Sequence, residues 1–197
     1  ILLGDLLIAK SFNIISNLEI SDSSKVVAVE LLSETISALV KGVFHEINED
    51  FKNQLDVNDA YIEMISQKTG KLIQFSSECL LGPSNVDHAT KSFLSDALMN
   101  FACAYQISDD FNDQNLNNAG SDISNNRPNI FTLLEPDNGE SQTEVIAVLQ
   151  KSFLKKANKS LALVPTPLSS AILEVLSPYV SFSKEGNSMK FDELLIK

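Results

Sequence analysis

Residues 90–113 have the sequence TKSFLSDALMNFACAYQISDDFND, in which apolar side chains recur at every third or fourth position. This spacing is typical of one face of an α-helix. Three carboxylates follow near the end of the predicted helix. The i, i+3 and i, i+4 spacings of Asp109, Asp110 and Asp113 place them close together on it. The stretch therefore predicts a core helix that ends in an acidic cluster.

Helical patterns continue on both sides of this stretch, without a sustained strand pattern. All six prolines lie at or after position 83, so the first 81 residues can hold long helices. Apolar periodicity and capping signals predict further helices over residues 2–15, 21–47, 56–82, 130–134, 143–163 and 168–182. We expect an all-α fold, a bundle of long, mostly antiparallel helices. The polar stretch 114–129 is interpreted as a loop inside one domain, residues 1–197.

The composition limits the possible functions. With 15 Lys and Arg against 26 Asp and Glu, the formal charge of -11 argues against a nucleic-acid partner. Cys79 and Cys103 lack the spacing of a zinc site or a disulfide framework, which indicates a reducing compartment such as the cytoplasm. No apolar run is long enough for a transmembrane segment. Because the chain opens at Ile1 inside a helical pattern, we expect it to be a fragment.

The acidic cluster favours a cation. Carboxylates at the C-terminal end of a helix are opposed by the helix dipole, so Asp109, Asp110 and Asp113 cost stability unless a cation binds nearby. Hard oxygen ligands of this kind suit Mg²⁺, which keeps several waters and commonly bridges to phosphates. A solvated acidic helix end is the alternative interpretation. The spacing excludes an EF-hand, because the glycine and the terminal glutamate of that loop are missing.

Four segments resemble, in order and spacing, the motifs of the trans-isoprenyl diphosphate synthases, or polyprenyl synthetases. Residues 105–113 are similar to the second aspartate-rich motif, FQxxDDxxD. Residues 2–10 resemble LxGDxLLA, residues 61–72 resemble YxxxxxxKTaxL, and residues 120–130 resemble GxDxxxGKxTLP. The resemblance covers essentially the whole chain. It implies an isoprenoid-synthase-type bundle that lacks the N-terminal part with the first aspartate-rich motif, so that the chain is the C-terminal two-thirds of the domain.

The resemblance also implies a reaction. An allylic diphosphate is ionised with the help of Mg²⁺, and the double bond of isopentenyl diphosphate attacks the carbocation. Asp109, Asp110 and Asp113 would hold the metal. Lys68, Thr69 and Gln106 would act in catalysis, and Lys68, Thr69 and Arg127 would contact the substrate diphosphate. Without the resemblance, Lys68 is interpreted as a surface lysine.

Two residues depart from the family pattern. Asn117 stands where the family has a loop lysine, and Glu46 stands where it usually has glutamine. The first removes a cation that would balance diphosphate charge. Together with the absent first aspartate motif and the absent basic region for isopentenyl diphosphate, these changes predict that the 197-residue chain alone forms no product.

Two functions from different classes remain open. The first is a prenyltransferase that makes a long-chain polyprenyl diphosphate. The second is a non-catalytic subunit of a heteromeric synthase, and a relative of the terpene cyclases is a more distant third. Retention of all three aspartates favours catalysis. An apolar stripe on the first two helices predicts a homodimer, with a heterodimer as the alternative; it comprises Leu3, Leu7, Phe12, Val29, Leu32, Ile36 and Val40.

Overall fold

The computed structural model describes residues 2–48, 57–82, 84–113, 129–133, 141–176, 182–184 and 187–189. Within these ranges the chain is helical except for turns and one small hairpin, so the all-α prediction is confirmed. The helices are α1 (Leu2–Ser16), α2 (Asp22–Asn48), α3 (Val57–Ile65), a π-helical turn (Ser66–Gly70), α4 (Lys71–Leu81), α5 (His88–Asp113), α6 (Ile130–Leu133), α7 (Gln142–Leu161) and α8 (Thr166–Leu176).

Helix α5 is the centre of the bundle. It packs against α4, α7 and the π turn. Helix α2 also packs against the π turn and α4. The main core joins α3, α5, α6 and α7 around the fully buried side chains of Tyr61, Ile65, Ile107 and Ile146. A second core surrounds Leu94 and Leu98 of α5, where α4 and α8 approach. The apolar face of residues 90–113 is thus buried as its periodicity predicts.

Several helix starts follow from capping side chains. The backbone N–H of Thr90 donates to Asp87 Oδ1 at 3.0 Å, and this bond opens α5. At the start of α7, Ser141 and Glu144 satisfy each other's backbone N–H groups in a capping box. Such bonds pair amides that would otherwise have no partner within the helix. They explain why these helices begin within a few residues of the predicted positions.

Two predicted helices differ in the structure. The segment predicted as one helix over 56–82 is divided, because a π turn at Ser66–Gly70 separates α3 from α4. The last predicted helix, 168–182, ends at Leu176, and Phe182 instead belongs to a strand. That strand, β1 (Phe182–Lys184), pairs antiparallel with β2 (Asn187–Met189). Three-residue strands are too short for alternation to be recognised in the sequence.

Among the described residues, most of the exposed large apolar side chains lie on α1 and α2. Ile15 is the only buried residue of α1, while Leu2 is 85% exposed. Of the stripe predicted to form an interface, Leu3, Leu7, Val29 and Val40 are exposed and Leu32 is buried. No helix in the described part of the chain is both long and apolar enough to cross a membrane.

Candidate active site

The site lies where the end of α5 meets the π turn, and Asp110 is at its centre. The Asp110 side chain is only 4% exposed. Its Oδ2 accepts a hydrogen bond from the Tyr61 hydroxyl at 2.7 Å and one from the Ile130 backbone N–H at 3.3 Å. Its Oδ1 accepts from Gln106 Nε2 at 2.8 Å. One buried carboxylate therefore joins α3, α5 and α6.

Burial and hydrogen bonding act in opposite directions on this carboxylate. Burial raises the pKa of Asp110 to about 6, because the charged form loses its hydration. The hydrogen bonds from Tyr61, Gln106 and Ile130 and the charge of Lys68 favour the ionised form and limit the rise. Burial also raises the pKa of Tyr61 well above its usual value, and the neighbouring Asp110 adds to that effect. Tyr61 is therefore a neutral hydrogen-bond donor at physiological pH.

Gln106 connects this carboxylate to the π turn. The Thr69 hydroxyl donates to Gln106 Oε1 at 2.6 Å, while the amide nitrogen of Gln106 donates to Asp110. Because the two ends of the amide have partners of opposite kind, its orientation is fixed by the network. Thr69, Gln106 and Asp110 thus form one chain of hydrogen bonds from the π turn to the end of α5.

Lys68 lies in the same π turn and points to α2. Its Nζ lies 2.6 Å from Oε1 of Glu46, in an ion pair whose side chains are 26% exposed for Lys68 and 3% exposed for Glu46. A Cβ atom on Gly42 would lie 2.7 Å from the Lys68 backbone nitrogen, so α2 touches the π turn here. Only glycine permits this close approach of the helix to the π-turn backbone.

A second glycine, Gly70, allows the π turn to pack closely against α5. A Cβ atom on Gly70 would overlap the sulfur of Met99. Single π turns inside α-helices shift the side chains that follow by one position and are frequent at functional sites. Here the π turn brings consecutive residues to different partners: Lys68 contacts α2 and Thr69 contacts α5.

The other predicted site residues lie near the C-terminal end of α5 or outside the described part of the chain. The side chain of Asp109 is exposed at the end of α5, in contrast to that of Asp110. Asp113 is the last residue of α5, but its side chain, like all of Arg127 and Asn117, lies outside the described residues. Among the side chains that are described, no three His, Cys, Asp or Glu form a metal-binding group. The three-aspartate metal site therefore stays a prediction.

Two members of the network were not recognised as site residues from the sequence. The sequence marks Tyr61 only as the first position of a motif, and its signal is its position two turns before Lys68 on the same predicted helix. The sequence marks Glu46 only as a departure from the family's usual glutamine. Its contact with Lys68 joins α2 to the π turn across 22 residues of sequence, which no local pattern reveals.

The family model described as "Polyprenyl synthetase" matches residues 1–164 of the chain. The chain belongs to the polyprenyl synthetase family. The motifs that carried the resemblance lie within the matched residues, and three of the predicted site residues, Thr69, Gln106 and Asp110, are joined by hydrogen bonds in the structure. Among curated protein sequences, none matches the chain significantly.

Solved structures of prenyl diphosphate synthases have the same fold as this chain. A geranylgeranyl pyrophosphate synthetase from the archaeon Geoglobus acetivorans is 21% identical, with a TM-score of 0.73 over 100% of this chain and 66% of that one. The enzyme from Pyrococcus horikoshii is 22% identical, with a TM-score of 0.71 over 98% of this chain and 65% of that one. A decaprenyl diphosphate synthase from Rhodobacter capsulatus is 17% identical, with a TM-score of 0.62 over 79% and 59% of the two chains.

These neighbours confirm the isoprenoid-synthase-type bundle predicted from the sequence. Identities of this size establish the fold but leave the function to be argued from the site. The chain spans about 66% of the length of the first of these solved structures.

Proposed function

We propose that the protein is a Mg²⁺-dependent prenyltransferase, which condenses an allylic diphosphate with isopentenyl diphosphate to a long-chain polyprenyl diphosphate. The observation that carries this proposal is the link between the π turn and the end of α5: Thr69 donates to Gln106, and Gln106 donates to Asp110. An ammonium, a hydroxyl and a pair of carboxylates are thereby gathered at one end of the bundle. These are the groups needed to bind a metal diphosphate.

The carboxylates fit a hard divalent cation. The exposed carboxylate of Asp109 would hold Mg²⁺ together with Asp110 and Asp113, and bound Mg²⁺ would neutralise diphosphate charge. Asp110 differs from Asp109 in its exposure: the Asp110 side chain is 4% exposed and is held by hydrogen bonds from three helices, whereas the Asp109 side chain is exposed. We therefore assign the leading role in metal binding to Asp109. Asp110 would chiefly orient the end of α5.

Residues of the π turn would bind the substrate. The Lys68 ammonium and the Thr69 hydroxyl would contact diphosphate oxygens, and Arg127 is a further proposed contact. In the reaction the carbon–oxygen bond of the allylic diphosphate breaks, and the diphosphate leaves with the electron pair. The isopentenyl double bond then forms the new carbon–carbon bond, and loss of a proton restores neutrality. Cationic contacts to the leaving group lower the barrier because negative charge develops there.

An apolar cavity provides space for a hydrocarbon chain. It has a volume of about 620 Å³ and is lined mainly by apolar residues of α1, α2 and α4, among them Ile15, Ala28 and Phe75. Phe75 lies about 10 Å along the helix axis from Lys68, at about 1.5 Å per residue. We propose that this cavity holds the tail of the allylic substrate. Ala28→Trp is then expected to weaken binding of a farnesyl thiodiphosphate and to leave pyrophosphate binding unchanged.

A non-catalytic subunit is the second candidate. It is favoured by the exposed apolar faces of α1 and α2 and by the pairing of Lys68 with a carboxylate. In either case we propose a cytoplasmic protein that forms a homodimer or heterodimer through α1 and α2. The two functions differ in metal-dependent diphosphate binding, which a purely supporting subunit does not need.

Calorimetry with a bisphosphonate tests the proposal. We expect binding that requires Mg²⁺ and that is lost or weakened at least tenfold in Asp109→Ala. The matched control is Asp96→Ala, because Asp96 is an exposed carboxylate on the same helix but far from its end. Binding that is indifferent to Mg²⁺, or equal losses in the two variants, would refute the metal assignment.

A further inference from the structure

The two side chains of the ion pair between Glu46 and Lys68 differ in their exposure to solvent. The carboxylate is almost completely buried, with 3% of its side chain exposed, whereas the lysine side chain is 26% exposed. The two atoms that form the pair, Lys68 Nζ and Glu46 Oε1, are only 2.6 Å apart. A buried carboxylate depends on its partner far more than a half-exposed ammonium does, because the ammonium can still be hydrated.

The backbone positions this pair. Gly42 and Glu46 are four residues apart and therefore lie one above the other on the same face of α2. Gly42 lets α2 touch the π turn at the Lys68 backbone nitrogen, where a Cβ atom would lie at 2.7 Å. Glu46 follows one turn later and meets the side chain of the same residue. The contact is thus built by two neighbouring positions on α2.

We propose that Glu46 is a positioning residue that restrains Lys68 and competes with a diphosphate for its ammonium group. This inference rests on the proposed function, in which Lys68 contacts diphosphate oxygens. An incoming diphosphate must draw the ammonium from Glu46 or share it, and either change leaves a buried carboxylate with a weaker partner. Glu46 thereby lowers the affinity of the site for diphosphate and makes binding more dependent on a metal cation.

The local charges agree with this role. Glu46 offsets the charge of Lys68. Asp109 and Asp110 lie near the C-terminal end of α5. Among the described side chains, the site thus holds more carboxylates than ammonium groups before any cation binds. Replacement of Glu46 by glutamine keeps an acceptor oxygen for Lys68 and nearly the same volume, but it removes the competing charge.

The test is the affinity for inorganic pyrophosphate at fixed Mg²⁺, measured by calorimetry on the whole chain. We expect Glu46→Gln to bind pyrophosphate about tenfold more tightly than the unaltered protein, since a unit charge a few ångströms away has an effect of at least this size. Glu46→Asp, whose shorter side chain loosens the pair, should show a smaller gain. The matched control is Glu63→Gln, which removes an exposed carboxylate that accepts a bond from Gln67 and should change the affinity less than twofold.

Lys68 variants distinguish competition by Glu46 from the proposed binding of diphosphate by Lys68. Lys68→Ala should weaken pyrophosphate binding, and the gain from Glu46→Gln should largely disappear when both substitutions are combined. If the unaltered protein binds pyrophosphate through Lys68 but Glu46→Gln binds no more tightly, the competition is refuted and the proposed function stands. If none of the proteins binds pyrophosphate, the inference and the proposed function both fail.

Discussion

At the residue scale, Asp110 is the group on which the site depends. A hydroxyl, an amide and a backbone N–H converge on its two oxygens, and they come from three helices. Hydrogen bonds to an ionised group contribute more than bonds between neutral groups. The carboxylate is therefore costly to bury and yet well supported.

The Tyr61 hydroxyl makes the shortest of these bonds. Tyr61→Phe keeps the packed ring but removes the donor, and we expect the free energy of unfolding to fall by about 2 kcal/mol at pH 7. Urea denaturation measures the change. The control is Tyr105→Phe on α5, because the half-buried Tyr105 ring packs against the same core. Its free energy of unfolding should fall by clearly less. Equal losses in the two variants would show that the bond to Asp110 contributes nothing.

The pKa of Asp110 predicts a pH dependence of stability. Because the folded-state pKa is raised from 3.8 to about 6, the folded protein binds more protons than the unfolded chain between these values. The contribution of Asp110 to stability is then fully present below about pH 4 and is lost as the pH rises through 6. The loss is about 3 kcal/mol, at about 1.4 kcal/mol per pKa unit.

Denaturation of metal-free protein between pH 4 and 7.5 checks this prediction. The other carboxylates are common to the unaltered protein and to Asp110→Asn, so the difference between the two curves isolates Asp110. We expect the stability of the unaltered protein, relative to that of the variant, to fall with rising pH. A difference that does not change with pH would contradict the raised pKa.

The sequence predicted the aspartates, Lys68, Thr69 and Gln106 as site residues, because short motifs preserve their spacing. It did not reveal that Asp109 is exposed while Asp110 is buried, since both follow the same helical pattern. That distinction comes from Tyr61 and Ile130, which reach Asp110 from helices remote in sequence. Burial of a polar residue at a helix end is thus a tertiary property.

At the element scale, the π turn is the feature that shapes the site. It separates α3 from α4 without breaking the helical path, because Ile65, Gly70 and Lys71 keep right-handed helical backbone angles. The sequence predicted one continuous helix here, because no proline interrupts residues 57–82 and a π turn adds a residue without a break in the helical path. In the sequence, Gly42 and Gly70 are the residues that mark the close contacts of the π turn. Their meaning depends on neighbours in α2 and α5.

Gly42 tests the contact between α2 and the π turn. In Gly42→Ala the new Cβ would lie 2.7 Å from the Lys68 backbone nitrogen and 3.1 Å from Gln67 Cβ, so α2 must move away. We expect a loss of about 1–3 kcal/mol in stability, typical of overpacking. Gly4→Ala in α1 has nothing within 4 Å and should be neutral or stabilising, because alanine favours helix. Thermal unfolding that ranks the variants otherwise would contradict this contact.

At the scale of the whole molecule, the apolar faces of α1 and α2 require an explanation. The periodicity of these helices predicted which positions are apolar, but it did not predict which of them the bundle leaves uncovered. Leu32 is buried against the bundle, while Leu3, Leu7, Val29 and Val40 face outwards. Because exposed apolar patches are common at interaction sites, we propose that these faces form an interface.

A dimer through this surface has a specific consequence. We expect light scattering at micromolar concentration to show a dimer that dissociates when Leu7 and Val40 are both replaced by lysine, because charge is then buried in the interface. Val148 on α7 is equally exposed but lies on another helix, so Val148→Lys is the control and should stay dimeric. A monomeric unaltered protein would contradict the prediction.

The proposed function requires the end of α5 and the π turn to bind a metal diphosphate together. Crystals grown with Mn²⁺ and pyrophosphate test it most directly, through the anomalous scattering of the metal. We expect an anomalous peak within coordination distance of the Asp109 carboxylate, with pyrophosphate oxygens in hydrogen-bond contact with Lys68 Nζ and Thr69 Oγ1. A metal ion bound away from Asp109, or pyrophosphate bound away from Lys68 and Thr69, would contradict the proposed site.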